Sequence, residues 1–75
     1  MDVLHRKLGK RIRQIMADRD LSVNRLADFS GVGRGGLSEI LAGKSSPTVR
    51  TLGRIAEALG VPVRDLFPAA EDSSR

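Results

Sequence analysis

The sequence predicts an all-α domain of five short helices, and three observations lead to this prediction. Apolar residues recur at intervals of three or four along the chain, which is the spacing of one helix face. Glycines and prolines interrupt that pattern, and no alternating apolar–polar run indicates a strand. Hydrophobic residues are 40% of the chain but aromatic residues only 3%, so branched aliphatic side chains and alanine must form the core.

The length and composition bound the class of protein. A chain of 75 residues has room for one small domain, which we expect to occupy residues 1–68 with a flexible tail at 69–75. The absence of cysteine excludes disulfides, thiolate zinc sites and cysteine nucleophiles. No apolar run is long enough to span a bilayer and no signal-peptide pattern is present, so we expect a cytoplasmic protein, associated with a bacterial nucleoid or encoded by a phage.

The first predicted helix covers residues 3–19 and is strongly basic. Its apolar positions are Leu4, Leu8, Ile12, Ile15 and Met16. The same segment carries Arg6, Lys7, Lys10, Arg11 and Arg13. The formal net charge of +4, from 13 basic and 9 acidic residues, favours a polyanionic partner. The basic run is equally compatible with contact to phosphate and with a solvated helix face.

Two short helices with a glycine between them follow. The second helix is predicted to begin after an N-cap at Ser22 and to end near Phe29 or Ser30. It must stop at Gly31, because only glycine enters the left-handed conformation at little cost. Its small residue Ala27 permits a close crossing with the next helix. Its apolar positions are Val23, Leu26 and Ala27.

The third helix completes the most informative pattern in the chain. It is predicted to open at Gly33 and to stop at Gly43, with apolar positions at Leu37, Ile40 and Leu41. A helix, a glycine turn and a second helix at this spacing are typical of a helix-turn-helix, whose second helix lies in the major groove of DNA. DNA binding is therefore the leading hypothesis.

Two further helices are predicted after a polar loop at residues 44–47. Thr48 is the expected N-cap of the fourth helix and Gly60 its end, with an apolar face of Val49, Leu52, Ile55, Ala56 and Leu59. Pro62 suits the first turn of a short fifth helix, and Pro68 stops it. The apolar residues of that helix are Val63, Leu66 and Phe67.

Taken together, these residues resemble the lambda-repressor-like family of helix-turn-helix domains (Cro/C1-type, XRE-like). The resemblance runs from about Leu8 to Phe67. It is carried by residues 8–13, Leu26, Ala27, Gly31, Val32, Leu37, Ile40, Gly43, Lys44, Pro47, Leu52, Ile55, Ala56, residues 59–61 and Leu66. It implies a compact five-helix fold with the third helix in the major groove. It also implies a two-fold homodimer, at least on DNA, that binds a near-palindromic operator.

The resemblance implies sequence-specific binding of double-stranded DNA by a small transcriptional regulator, which we expect to be a repressor. The expected base contacts are Arg34, Gly35, Ser38 and Glu39. The expected phosphate contacts are Ser22, Asn24, Arg25, Lys44, Ser45, Ser46, Thr48 and Arg50. For several of these an ordinary role is the alternative, such as a polar turn at residues 44–46 or capping alone at Thr48. No cofactor, metal or small-molecule ligand is expected.

The sequence departs from the family pattern at two structural positions. Many relatives place a buried arginine–glutamate pair where this chain has Met16 and Leu41. An apolar pair of similar volume can replace a buried ion pair without net loss, so we expect the fold to survive and the two side chains to touch. Relatives also begin the second helix with a glutamine that contacts phosphate, where this chain has Val23.

The third departure lies at the start of the third helix, which reads Gly33, Arg34, Gly35, Gly36. Relatives usually place two or three polar side chains there. One interpretation is that the glycines fray the helix, since each costs about 1 kcal/mol relative to alanine. The other is that they let the backbone approach DNA closely, leave base reading to Arg34 and shift part of the specificity to DNA shape.

Three other functions compete with DNA binding as interpretations of this sequence. The segment from Gly31 to Gly36 fits a G-x-G-x-x-G dinucleotide-binding pattern, but that pattern requires a preceding strand and the chain has none. Catalysis is not expected, because a single histidine and scattered carboxylates do not converge. The remaining alternative is a helix-turn-helix fold used for protein interaction, such as an antitoxin or assembly domain. The expected dimer surface is Val61, Val63, Leu66 and Phe67, although Leu66 could equally close the core.

Overall fold

Four α-helices and one 3-10 helix account for the regular structure. The computed structural model describes residues 3–67, and no strand occurs within that range. The helices are α1 (Val3–Asp18), α2 (Val23–Ser30), α3 (Arg34–Leu41) and α4 (Val49–Leu59), followed by a 3-10 helix at Val63–Leu66. The all-helical prediction is confirmed. The predicted tail at 69–75 and the stop at Pro68 lie outside the described residues.

The predicted count of five α-helices is not confirmed, because the last element is a single 3-10 turn. Asp65 N–H donates to the carbonyl of Pro62 at 2.9 Å, and Phe67 N–H donates to the carbonyl of Arg64 at 3.3 Å. Both bonds span three residues rather than the four of an α-helix. Phe67 has already turned to extended backbone (φ −88°, ψ 154°). Phe67 precedes Pro68 in the sequence, and the residue before a proline disfavours the α conformation.

The predicted helix ends agree with the structure. The hydroxyls of Ser22 and Thr48 accept backbone N–H groups three residues later, so both residues are N-caps. Gly31 and Gly60 adopt the left-handed conformation at the ends of α2 and α4. Helix α3 ends in a Schellman arrangement: the N–H of Gly43 bonds to Ile40 and that of Lys44 to Glu39.

The hydrophobic core lies between the four α-helices and is closed by the 3-10 helix. Its fully buried large side chains are Ile12, Leu26, Leu37, Ile55, Leu59 and Leu66. Leu66 therefore closes the core, and its alternative assignment to a dimer surface is wrong. Arg11 links α1 to the 3-10 helix, because its Nε donates to the carbonyl oxygen of Asp65 at 2.9 Å.

The apolar replacement of the family's ion pair is accommodated in this core. Met16 and Leu41 are each 6% exposed and belong to the same buried cluster. No charge has to be desolvated at either position, which is the condition under which such a replacement is neutral. Direct contact between the two side chains stays a prediction.

Helix α1 crosses the end of α3 at very short range. A methyl group added at Gly9 would lie 2.5 Å from the carbonyl oxygen of Leu41 and 2.7 Å from that of Ile40. Atoms at those distances clash, so only glycine fits between the two helices. Because α3 is the predicted reading helix, this crossing also sets where that helix lies.

Candidate nucleic-acid interface

The turn between α2 and α3 is held by a buried serine as well as by glycine. Gly31 N–H donates to the carbonyl oxygen of Ala27 at 2.9 Å. The Ser30 hydroxyl donates to the same oxygen at 3.5 Å and accepts from Val32 N–H at 3.2 Å. Ser30 is only 8% exposed. This role of Ser30 was not predicted, although a serine hydroxyl commonly bonds to the backbone two residues ahead.

Helix α3 presents two rows of residues to solvent. Leu37, Ile40 and Leu41 are buried on its inner side. The four expected base-contacting residues are all exposed: Arg34, Gly35, Ser38 and Glu39. Because residues four apart share a helix face, Arg34 lies in line with Ser38, and Gly35 lies in line with Glu39. The structure therefore brings these four positions together on one outward surface.

Arg34 is held by the neighbouring helix. Its Nη1 donates to Asn24 Oδ1 at 3.1 Å, and both side chains are exposed. Asn24 lies in the first turn of α2, one residue after Val23, which is the position where relatives carry the phosphate-contacting glutamine. The sequence predicts a phosphate contact for Asn24, and nothing in it indicates this bond to Arg34. In this chain an asparagine one position later links the two helices.

Apart from Arg34, the residues at the start of α3 are glycines without side chains. Gly33 is its N-cap and supplies no side-chain hydrogen bond. Added methyl groups at Gly35 and Gly36 would meet no atom within 4 Å. Both residues lie in the first turn of the helix as the structure bounds it, and the two interpretations of the glycines stay predictions. The peptide backbone of the first turn is open to any ligand that approaches from outside.

The expected phosphate contacts fall into two groups. Ser22, Asn24 and Arg25 lie at the start of α2 and are exposed. The second group follows α3 and runs into α4: Lys44, Ser45, Ser46, Thr48 and Arg50. All five are exposed except Ser45, which is half-buried. The Thr48 hydroxyl is engaged within α4, because it accepts from Thr51 N–H at 3.1 Å and donates to Thr51 Oγ1 at 3.0 Å.

The described region contains neither a candidate metal site nor a candidate membrane span. Residues 3–67 contain no group of three or more side chains arranged to hold a metal ion. Over the same range, no helix combines the length and apolar character needed to cross a bilayer.

Substituting Gly35 and Gly36 by alanine separates their two interpretations. The double variant is expected to gain up to about 2 kcal/mol in free energy of unfolding, since each glycine costs about 1 kcal/mol in a helix and the added methyl groups meet no atom. If the glycines serve close approach to DNA, affinity for duplex DNA falls despite the gain in stability. Thermal unfolding measures the change in stability, and DNA titration of the same sample measures the change in affinity. Unchanged affinity would leave the glycines without a role in binding.

Comparison with known proteins agrees with this geometry. The sequence profile of the helix-turn-helix family matches residues 12–66. The chain is 42% identical over 62 residues to the HTH-type transcriptional regulator SutR of Escherichia coli (strain K12), covering 83% of this chain and 35% of SutR. It is 41% identical over 60 residues to the HTH-type transcriptional repressor RghR of Bacillus subtilis (strain 168), covering 79% of this chain and 44% of RghR.

A solved structure shows the same fold. The restriction-modification controller protein C.AhdI of Aeromonas hydrophila superposes with a TM-score of 0.82 at 28% identity, over 84% of this chain and 96% of that one. The chain spans about a third to a half of the length of the curated relatives it matches.

Proposed function

The chain belongs to the Cro/C1-type helix-turn-helix family, and we propose that it binds double-stranded DNA sequence-specifically as a small transcriptional regulator, with α3 in the major groove. One observation carries the proposal: the outward face of α3 begins with an arginine that Asn24 holds in place. The names of the relatives support regulation of transcription, and that of RghR supports repression.

Arg34 suits the reading of a guanine. Its guanidinium has five N–H donors, so one can bond to Asn24 while two others pair with the O6 and N7 atoms of guanine. Such a bidentate pair is worth about 1–3 kcal/mol of discrimination against the wrong base. Gly35 permits close approach, while Ser38 and Glu39 supply a hydroxyl and a carboxylate for the next base pairs. Glu39 is suited to accept from the amino group of cytosine.

The two polar groups beside α3 suit the phosphate backbone. Ser22 and Arg25 lie at the start of α2, and Lys44, Ser46 and Arg50 lie beyond the end of α3. Contacts of this kind position a protein on the duplex without reading sequence. Ser45 and Thr48 are weaker candidates, because Ser45 is half-buried and the Thr48 hydroxyl is engaged as a cap.

Lys44→Ala tests the assignment of phosphate contacts. It is expected to weaken binding to all sequences by about the same factor and to reduce the slope of log K against log salt by about 0.9. Titration of one strong and one weak site at several salt concentrations measures both quantities. Arg19→Ala removes an equal charge from an exposed position after α1 and serves as the control. A change in base preference in Lys44→Ala would contradict a backbone role.

We also propose a homodimer on a near-palindromic operator, with half-sites about one helical turn apart. Val63 and Phe67 are 37% and 38% exposed and supply the apolar surface for it. Val61 is half-buried against the core and contributes less. An operator as the binding partner implies a cytoplasmic location for the protein, in contact with bacterial or phage DNA.

Selection of bound sequences from random duplex DNA tests the proposed function. We expect enrichment of a palindromic consensus and a steep fall of affinity with salt. If no sequence is enriched and binding at low salt is negligible, the proposal that the protein binds DNA is wrong. The alternative would then be an interaction module, such as an antitoxin or assembly domain.

A further inference from the structure

One face of α1 lines a basic cavity outside the proposed reading surface. A surface cavity of about 580 Å³ is lined by the cationic residues Arg6, Lys7, Lys10 and Arg13, and also by Val3, Leu41 and Ala42, the last two at the end of α3. All four cationic side chains are exposed, and among residues 3–67 no carboxylate lines the cavity. Arg11, the fifth cation of this helix segment, is used elsewhere, since it bonds to Asp65.

The charge at this cavity is not balanced within the described chain. Among residues 3–67, none of the four cationic side chains forms a hydrogen bond or an ion pair. Several of them lie three or four residues apart, where like charges repel and destabilise a helix. The carboxyl end of α3 supplies the equivalent of only about half a negative charge. Structural neutralisation therefore accounts for a small part of the cluster, and an anionic ligand is the natural complement.

The cavity adjoins the loop that we assign to the phosphate backbone. A methyl group added at Gly43 would lie 2.8 Å from Cγ and 2.9 Å from Cα of Arg6, so the loop passes directly against α1. Lys44 is the next residue. The basic face of α1 is thus continuous with the second group of phosphate contacts.

The dimensions of this face fit a nucleic-acid strand. Seven residues separate Arg6 from Arg13, which corresponds to about 10 Å along the helix axis. One DNA strand carries a phosphate for about every 3.4 Å of duplex axis, so the face matches about three phosphates. Among residues 3–67, no aromatic residue lines the cavity, and its apolar lining consists of Val3, Leu41 and Ala42. Both ligands are anionic, but continuity with the Lys44 loop favours a phosphodiester backbone over an acidic peptide.

We propose that Arg6, Lys7, Lys10 and Arg13 form a second phosphate-binding surface for the same DNA duplex, next to the contacts of the Lys44 loop. This inference rests on the proposed function. It assigns to α1 a part in affinity and salt dependence, and none in base recognition.

The test compares two doubly substituted proteins on the duplex that selection yields. Lys7→Ala/Lys10→Ala removes two exposed charges from α1, and alanine is the strongest helix former, so helix content by circular dichroism should not change. We expect the salt slope to fall by about 1.8 relative to the unsubstituted protein. The Kd of Lys7→Ala/Lys10→Ala divided by that of the unsubstituted protein should then shrink about tenfold between about 50 and 200 mM salt. The order of preference among bases should stay the same.

The matched control is Arg19→Ala/Arg64→Ala, which removes the same charge from two exposed positions away from the cavity. Its salt slope should stay close to that of the unsubstituted protein. Equal slopes for both double variants would overturn the inference, because net charge alone would then explain the effect. An unchanged slope in Lys7→Ala/Lys10→Ala would also overturn it.

These results remain distinct from failure of the proposed function. If the unsubstituted protein selects a consensus but the α1 variant binds it identically, only the inference fails. If the unsubstituted protein binds no duplex, the proposed function fails first. Binding of polyglutamate that depends on Lys7 and Lys10, in the absence of DNA binding, would assign the cavity to an acidic protein partner and overturn the phosphate proposal.

Discussion

Gly9→Ala is expected to lower the free energy of unfolding by about 3 kcal/mol, at the upper end of what overpacking costs. The added methyl group would lie 2.5 Å and 2.7 Å from two carbonyl oxygens of α3, and backbone cannot turn aside as a flexible side chain can. The loss is large for a domain this small, whose total stability by size is about 4–11 kcal/mol. Thermal unfolding followed by circular dichroism measures it, with a midpoint lowered by about 12 °C or more.

Gly53→Ala is the matched control for Gly9→Ala. Gly53 lies within α4, and a methyl group there would meet no atom within 4 Å. The same substitution is therefore expected to raise stability by up to about 1 kcal/mol, through helix propensity alone. Opposite signs for the two variants would assign the loss at Gly9 to the close crossing of α1 and α3. A Gly9→Ala protein as stable as the unsubstituted one would contradict the crossing.

Arg34→Ala is expected to abolish preference at one base pair per half-site while leaving preference elsewhere intact. Loss of a bidentate guanine contact corresponds to about 1–3 kcal/mol, or roughly a fivefold to 150-fold loss of discrimination. The measurement is a comparison of Kd values for the selected operator and for operators with each base pair exchanged in turn. A uniform loss across all positions would contradict base reading and place Arg34 on the backbone.

Asn24→Ala is the companion variant, because Asn24 holds Arg34 without being assigned to a base. A positioning role predicts a partial loss of discrimination at the same base pair that Arg34→Ala affects. An independent phosphate contact predicts a uniform loss and a smaller salt slope. Arg25→Ala, on the same helix and also exposed, shows what removal of a backbone contact looks like.

The parts of the fold that could be predicted from sequence are those set by local chemistry. Ser22 and Thr48 cap helices because their hydroxyls reach backbone N–H groups three residues ahead. Gly31 and Gly60 end helices because their left-handed conformation suits glycine. The fifth element is a 3-10 turn and not the α-helix expected, since apolar spacing does not distinguish the two over so few residues.

The unpredicted features depend on contacts between distant residues. Gly9 is restricted by the carbonyl oxygens of Ile40 and Leu41, more than thirty positions away, and nothing beside it in sequence signals that restriction. The bond between Arg34 and Asn24 joins two helices whose relative placement is a property of the folded core. The exposure of the α3 residues, by contrast, followed from helical periodicity alone. The site was predictable as a surface, but the bonds within it were not.

Methylation interference on the selected operator tests the central claim most directly, because methylation of guanine N7 blocks the major-groove edge that Arg34 is proposed to read. We expect methylation of one guanine in each half-site to prevent binding of the unsubstituted protein. Methylation of that same guanine should have no effect on Arg34→Ala, while other interference positions stay unchanged. An interference pattern identical in the two proteins, or one confined to the minor groove, would contradict major-groove reading by Arg34.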